Sequence, residues 1–82
     1  MSYTKQFGIV SKEVLHDPEL SLQAKGLYSL LCTYANQNRT CYPSISTLAD
    51  LSNKSRSTID KLIKELKKKN YLKRDGRKII LI

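Results

Sequence analysis

The 82-residue sequence predicts a mainly helical α+β domain, in which three main helices precede a C-terminal β-hairpin. Three observations support this prediction. Apolar residues recur at helical spacing in three segments, and each segment follows a serine suited to cap a helix. Near the C-terminus, an Asp-Gly pair separates two β-prone runs. The length and the 40% hydrophobic content fit one small domain, over residues 1–82, with a single core.

The first twenty residues predict only short elements. The apolar run Phe7–Val10 is β-prone and suggests an edge strand. Ser11 is placed to cap a single helical turn that ends near Leu15, and Asp17-Pro18 suggests a turn.

The first main helix is predicted to begin after Ser21 and to stop near Asn36. Gly26 lies inside it, either to allow close packing or without a structural role. Apolar residues at spacings of three and four form its predicted inner stripe, with Tyr28 and Ala35 beside it: Leu20, Ala24, Leu27, Leu31 and Tyr34.

The next two predicted helices are short neighbours joined by a tight turn. Ser44 should cap the first of them and Ser55 the second, while Asn53 between them is suited to a left-handed conformation. The predicted inward residues of the first are Ile45, Leu48 and Ala49, with Leu51 near its end. Those of the second are Ile59, Leu62, Ile63 and Leu66.

The C-terminal segment predicts a hairpin. The cations Lys67–Lys69 suit the negative end of a helix dipole, and Asn70 is suited to a left-handed C-cap. Asp75-Gly76 favours a type I′ turn. The apolar run Ile79–Ile82 should be partly buried or paired. The order helix, helix, turn, helix, hairpin is that of a winged helix-turn-helix.

Positive charge is concentrated in the half of the chain that contains this motif. The formal net charge is +8. Residues 1–41 hold four basic and three acidic residues, whereas residues 42–82 hold eleven and four. A basic half beside a near-neutral half indicates a surface for a polyanion, although a basic surface can also serve only solubility.

The motif residues also resemble a known family. Leu48-Ala49, Asn53 and Ser55-x-x-Thr58-Ile59 match the bacterial helix-turn-helix signature, in which Gly is usual at the turn. The wider frame, about residues 7–74, resembles the winged-helix domain of Gram-positive plasmid and phage replication initiators and related DNA-binding regulators. Its matching segments are Leu20-Ser21-x-x-Ala24-Lys25-Gly26-Leu27-Tyr28 and Cys41-Tyr42-Pro43-Ser44-x-x-x-Leu48-Ala49.

The resemblance implies sequence-specific binding of double-stranded DNA, by a transcription regulator or a plasmid or phage replication-associated factor. A recognition helix at about residues 55–69 would enter the major groove, and a wing at about 71–82 would contact adjacent DNA. Carried over by position, the recognition-helix candidates are Arg56, Ser57, Thr58, Lys61 and Lys64. The further candidates for DNA contact are Ser44, Ser46, Thr47, Lys54, Ser55, Arg74, Arg77 and Lys78.

Several of these candidates have an alternative role. Arg56 can donate two hydrogen bonds to guanine, whereas Lys61 and Lys64 are better suited to phosphates. Ser44 is first a helix cap, and Thr58 could be a packing residue near the turn. The wing cations could instead protect an edge strand from aggregation. Since Lys67–Lys69 point in three directions, at least one of them should be only a solvated helix end.

Other classes of function have less support in the sequence. A protein-interaction or dimerisation module is the main alternative, and a homodimer is possible. Ser55–Lys69 could also be read as a membrane-surface helix, but Asp60 and Glu65 interrupt its polar face. We expect no enzyme activity, no metal site and no cofactor, because neither His16 nor the two cysteines belong to a recognisable motif. Cys32 and Cys41 without a secretion signal predict reduced thiols and a cytoplasmic location.

Overall fold

Four helices and three strands form the part of the chain, residues 9–82, that the computed structural model describes. In chain order they are α1 (Lys12–Leu15), α2 (Leu22–Tyr34), β1 (Thr40–Cys41), α3 (Ile45–Ser52), α4 (Arg56–Lys68), β2 (Leu72–Asp75) and β3 (Lys78–Leu81). This arrangement confirms the predicted winged helix-turn-helix. Of the predicted strand Phe7–Val10, the first two residues lie outside the described residues, and Ile9 and Val10 are not in a strand.

Serine side chains begin the three main helices as predicted. The hydroxyls of Ser21, Ser44 and Ser55 each accept a hydrogen bond from the backbone N–H three residues later, at 3.0–3.2 Å. Such a bond satisfies one of the amides that a helix leaves without a partner in its first turn. Ser11 precedes α1 as predicted, but its side chain makes no capping bond.

Two asparagines in the left-handed conformation end α3 and α4. Asn53 has φ 56° and Asn70 has φ 63°. The amide after each asparagine donates to the carbonyl five residues earlier, at 3.0 Å in both cases. This is the Schellman arrangement, which satisfies carbonyls at a helix end and reverses the chain tightly. The two predictions for these residues are therefore confirmed.

The hairpin belongs to a three-stranded antiparallel sheet of order β1-β3-β2. The short strand β1 was not predicted, because two residues form no recognisable pattern and are defined only by their partners on β3. With β3 in the centre, both of its hydrogen-bonding edges are occupied. The prediction that the run Ile79–Ile82 is partly buried or paired is therefore confirmed.

The hairpin turn differs from the predicted type I′ turn at Asp75-Gly76. Asp75 pairs with Lys78, so the two loop residues are Gly76 and Arg77. Gly76 has φ 61°, whereas Arg77 is not among the residues with positive φ. One positive φ, at the first loop position, is the pattern of a type II′ turn. Glycine adopts a positive φ without steric cost. A type I′ turn at these two positions would also require a positive φ at Arg77, which is costly for a non-glycine residue.

The core lies between the inner faces of α2, α3 and α4 and the sheet. It includes Ile59, Ile63 and Leu66 of α4, each at most 2% exposed. Its other buried hydrophobic residues are Val14, Leu20, Ala24, Leu27, Tyr28, Leu31, Cys32, Cys41, Leu48, Ala49, Leu72, Ile79 and Leu81. Burying one large apolar side chain contributes about 1.5–3 kcal/mol, so these contacts fix how the helices are rotated.

Not every predicted inward residue is buried. Tyr34, the last residue of α2, is 42% exposed, because the chain turns away at Ala35 before that position reaches the core. Leu62 is half-buried, and Leu51 at the end of α3 is 58% exposed.

Gly26 is not required for close packing of α2 against a neighbouring element. A Cβ atom added at this glycine would meet no atom of another element within 4 Å. No helix within residues 9–82 has the length and apolar character to span a membrane.

A polar cluster joins the segment after α1 to the end of α4. The Tyr71 hydroxyl donates to the Asp17 carboxylate at 2.6 Å, and Lys69 forms ion pairs with Asp17 at 3.1 Å and with Glu19 at 2.8 Å. The hydrogen bond from Tyr71 is the main reason why the pKa of Asp17 falls from 3.8 to about 2. The cluster therefore favours the ionised carboxylate.

A second polar contact joins α4 to the start of α2. The two carboxylate oxygens of Glu65 accept hydrogen bonds from the backbone N–H and the hydroxyl of Ser21, at 2.7 and 2.9 Å. The same hydroxyl caps α2 by accepting from the Ala24 amide. A residue of α4 thus completes the N-terminal cap of another helix and sets the position of α4 along α2.

Acid should remove the stabilisation that Asp17 provides. Its pKa is lower in the folded than in the unfolded chain, so this stabilisation is complete above about pH 4 and is lost as the pH falls through about 2. The urea midpoint of wild type should exceed that of Asp17→Asn near neutral pH, and the gap should narrow towards about pH 2. Asp75→Asn, at an exposed carboxylate, is the control. A difference in urea midpoint between wild type and Asp17→Asn that stays the same at low pH would contradict this account.

Glu65→Ala should destabilise the fold by about 1.5–3 kcal/mol, because the Ser21 amide and hydroxyl lose a charged acceptor. Denaturant unfolding monitored by circular dichroism measures this loss. Glu65→Gln keeps one carbonyl acceptor and should lose less. Glu13→Ala, at an exposed glutamate of α1, is the matched control. Equal stability of Glu65→Ala and Glu13→Ala would show that the contact between Glu65 and Ser21 does not stabilise the fold.

Candidate nucleic-acid interface

The side of α4 that faces away from the core carries a row of polar and basic residues. Ser57, Lys61 and Lys64 are all exposed and follow one another at spacings of four and three residues. Residues at this spacing share one helix face. Because Ile59, Ile63 and Leu66 point into the core, this row faces solvent along the length of the helix.

Two further exposed residues of α4 belong to the same surface but are absent from the predicted contacts. Lys68 continues the row one turn beyond Lys64, and Asp60 lies one turn from both Arg56 and Lys64. A carboxylate can accept a hydrogen bond from cytosine N4 in the major groove. The helical spacing of the sequence already places Asp60 outward with Lys61 and Lys64, and the same spacing continued for one more turn reaches Lys68.

The three lysines at the end of α4 have different surroundings. Lys69 is engaged by Asp17 and Glu19, and the hydrogen bond to Glu19 is the main reason why its pKa is raised. Lys68 lies on the outward row, and Lys67, three residues after Lys64 and seven after Asp60, is exposed beside that row. This division agrees with the expectation that the three cations cannot share one role.

Arg56 connects the beginning of α4 with α3. Its Nη2 atom donates a hydrogen bond to the hydroxyl of Ser46, so two predicted contact residues from different helices are brought together. A guanidinium has five N–H donors, so the bond to Ser46 leaves others for a nucleobase edge or a phosphate. Arg56 is exposed and held at the N-terminal end of α4.

The hydroxyl groups around the two helix starts are largely engaged within the protein. The Ser44 hydroxyl donates to Thr47 Oγ1 at 2.8 Å while it caps α3. The Ser55 and Thr58 hydroxyl oxygens lie 3.0 Å apart, and Thr58 is half-buried. This geometry suits the packing role that the sequence left open for Thr58. Lys54, in the turn between the helices, is exposed.

The wing does not present its three predicted cations on one surface. Arg74 pairs with Ile79, and Asp75 pairs with Lys78, in alternate rows of the hairpin. Since successive strand residues point to opposite faces, Arg74 shares the face of buried Ile79, whereas Lys78 points to the other face. The structure gathers Arg74, Arg77 and Ser44 around one cleft, and Lys78 is not among its lining residues.

The thiols and acidic residues form no comparable site. Cys32 and Cys41 are free and buried, and burial raises the pKa of both thiols. A thiol is a good nucleophile or metal ligand only after it loses its proton, which a raised pKa opposes. Within residues 9–82, no cluster of three or more His, Cys, Asp or Glu residues is arranged to hold a metal ion.

The geometry of α3, the Asn53 turn and α4 agrees with a comparison against protein-family models. A helix-turn-helix domain family matches residues 19–72, from just before α2 to the first residue of β2. No curated protein and no solved structure gives a significant match. Because the family model covers more than half of the chain, the chain belongs to the helix-turn-helix domain family, whose fold suggests DNA binding.

Proposed function

We propose that this protein binds double-stranded DNA in a sequence-specific manner, with α4 in the major groove and the wing on adjacent DNA. The observation that carries the proposal is the outward row Ser57, Lys61, Lys64 and Lys68, opposite the buried apolar face of α4. The resemblance to plasmid and phage replication initiators and related regulators suggests a role in replication or in transcription regulation.

The dimensions of α4 suit this placement. The major groove is about 12 Å wide and admits a helix of about 10–12 Å diameter. In helix-turn-helix proteins, the N-terminal residues of the recognition helix contact base edges. Arg56 and Ser57 occupy that end of α4, so they are our candidates for base contacts. Lys61, Lys64 and Lys68 follow along the helix and would reach phosphates on the walls of the groove.

The charge distribution supports a polyanionic partner. Eleven of the fifteen Lys and Arg residues lie in residues 42–82, which contain α3, α4 and the wing. Each phosphate that such a residue neutralises releases a condensed counterion, so affinity falls as salt rises. Binding that depends on several of these contacts should weaken steeply with salt.

The second candidate function is a protein-interaction or dimerisation module. A mainly apolar groove of about 350 Å³ lies between α2, α3 and the beginning of α4. Its lining includes Leu30, Leu51 and Leu62, and Leu51 is 58% exposed. Tight self-association in light scattering, together with no detectable DNA binding at low salt, would favour this function.

Lys64→Ala should weaken binding to all duplexes by a similar factor, because a phosphate contact carries no base preference. Fluorescence anisotropy at several salt concentrations would measure it, with a duplex selected from a random pool and an unrelated duplex of equal length. The slope of log affinity against log salt should become less steep by about 0.9. Lys12→Ala, at an exposed lysine of α1, is the control and should leave the slope unchanged.

A flat salt response of the wild-type protein would contradict DNA binding through phosphate contacts. Equal effects of Lys64→Ala and Lys12→Ala would instead contradict the assignment of the outward face of α4 to DNA. Thermal unfolding of both variants checks that these exposed substitutions leave the fold intact.

A further inference from the structure

A cleft of about 400 Å³ separates the wing from the beginning of α3. Two arginines of the wing, Arg74 and Arg77, form one side of it. The other lining residues come from the segment that follows β1, from the start of α3 and from β3: Tyr42, Pro43, Ser44, Ile45 and Ile79. The cleft therefore lies between the wing and the helix-turn-helix part of the fold.

Sheet register explains why these residues face one another. Cys41 of β1 and Arg74 of β2 both pair with Ile79, so these three residues occupy one row across the sheet. Directly after this row, the chain leaves β1 at Tyr42 and enters α3 at Ile45. Arg74 is held near the turn by a hydrogen bond of 3.3 Å from its Nε atom to the Gly76 carbonyl.

The lining combines cationic and apolar surface. Guanidinium groups bind phosphate with two parallel N–H donors, and the cleft has two such groups. Tyr42 is 65% exposed although it is aromatic, and together with the half-buried Ile45 it gives the cleft apolar surface beside the arginines. This pairing of charge and apolar surface matches a phosphate joined to a sugar.

We propose that the cleft binds one phosphate of the DNA backbone and its adjoining deoxyribose, with Arg74 and Arg77 on the phosphate and Tyr42 against the sugar. The inference rests on the proposed DNA-binding function and deepens it. The volume lies in the range of about 300–1,000 Å³ typical of ligand pockets, so a single nucleotide unit can be accommodated.

The cleft has a fixed position relative to the recognition helix. Ser44 lines the cleft and begins α3, and Ser46 two residues later accepts a hydrogen bond from Arg56 of α4. A phosphate in the cleft would thus sit at a defined distance from the bases that Arg56 meets. The contact would fix the register of the protein on the duplex without reading a base itself.

Duplexes with one uncharged methylphosphonate at successive backbone positions test the inference. Wild type should lose about tenfold in affinity at one phosphate beside the selected site when that phosphate is neutralised. In Arg77→Gln the sensitivity at that position should disappear, while other sensitive positions stay as they are. Lys73→Gln is the matched control, because Lys73 is an exposed wing cation on the opposite face of the hairpin.

Tyr42 variants test the sugar contact separately from the charge. Tyr42→Ala should weaken binding severalfold with an unchanged salt slope, because the contact is not ionic. Tyr42→Phe keeps the ring and should retain most of the affinity. Since Tyr42 and Arg77 are exposed, their substitution should leave the melting temperature near that of wild type.

The outcomes separate this inference from the proposed function. Failure of wild type to bind any duplex contradicts both. Duplex binding with the same methylphosphonate profile in wild type and Arg77→Gln overturns only the cleft assignment. Saturable binding of free deoxyadenosine monophosphate that Arg77→Gln abolishes, with an unchanged methylphosphonate profile, would assign the cleft to a small ligand and overturn the inference.

Discussion

The burial of one face of α4 determines where every candidate DNA contact on that helix points. Ile59, Ile63 and Leu66 are almost inaccessible to solvent, and each contributes about 1.5–3 kcal/mol through burial. Rotating α4 by one residue would expose part of this surface and press a lysine towards the core. The packing therefore holds Lys61 and Lys64 outward more firmly than any contact of the lysines themselves.

Polar contacts complete this placement along the helix axis. Glu65 of α4 accepts hydrogen bonds from Ser21 at the N-terminus of α2. Lys69, at the end of α4, forms an ion pair with Asp17 in the segment after α1. Neighbouring lysines at the end of α4 consequently serve different purposes. Lys69 pairs with Asp17 and Glu19 within the protein, whereas Lys68 remains on the surface proposed to face DNA. The charge of a segment alone does not separate these roles.

Local signals in the sequence were sufficient for most of the helical architecture. Serine caps and left-handed asparagines depend on the chemistry of a few adjacent residues, so Ser44, Asn53 and Ser55 could be identified without tertiary information. The strand β1 and the contact of Glu65 with Ser21 join residues distant in the chain, and no local pattern indicates them.

The candidate site could likewise be predicted from the sequence only where local spacing determines it. Helical spacing predicts the outward row of α4, and applied to the end of the helix it also includes Lys68. For the wing, the relevant fact is strand register, which places Arg74 and Lys78 on opposite faces. The predicted turn at Asp75-Gly76 was displaced by one residue, so these faces could not be assigned from the sequence. The cleft beside Tyr42 likewise depends on the pairing of β1 with β3.

The central claim is that the solvent-facing side of α4 is the surface that meets DNA. Backbone amide chemical shifts, followed by NMR while a selected duplex is added, test it most directly. The account predicts the largest changes in α4, in the turn before it and at the wing residues around Arg77, with small changes along α2. Largest changes in the groove between α2 and α3, with α4 and the wing unaffected, would contradict it.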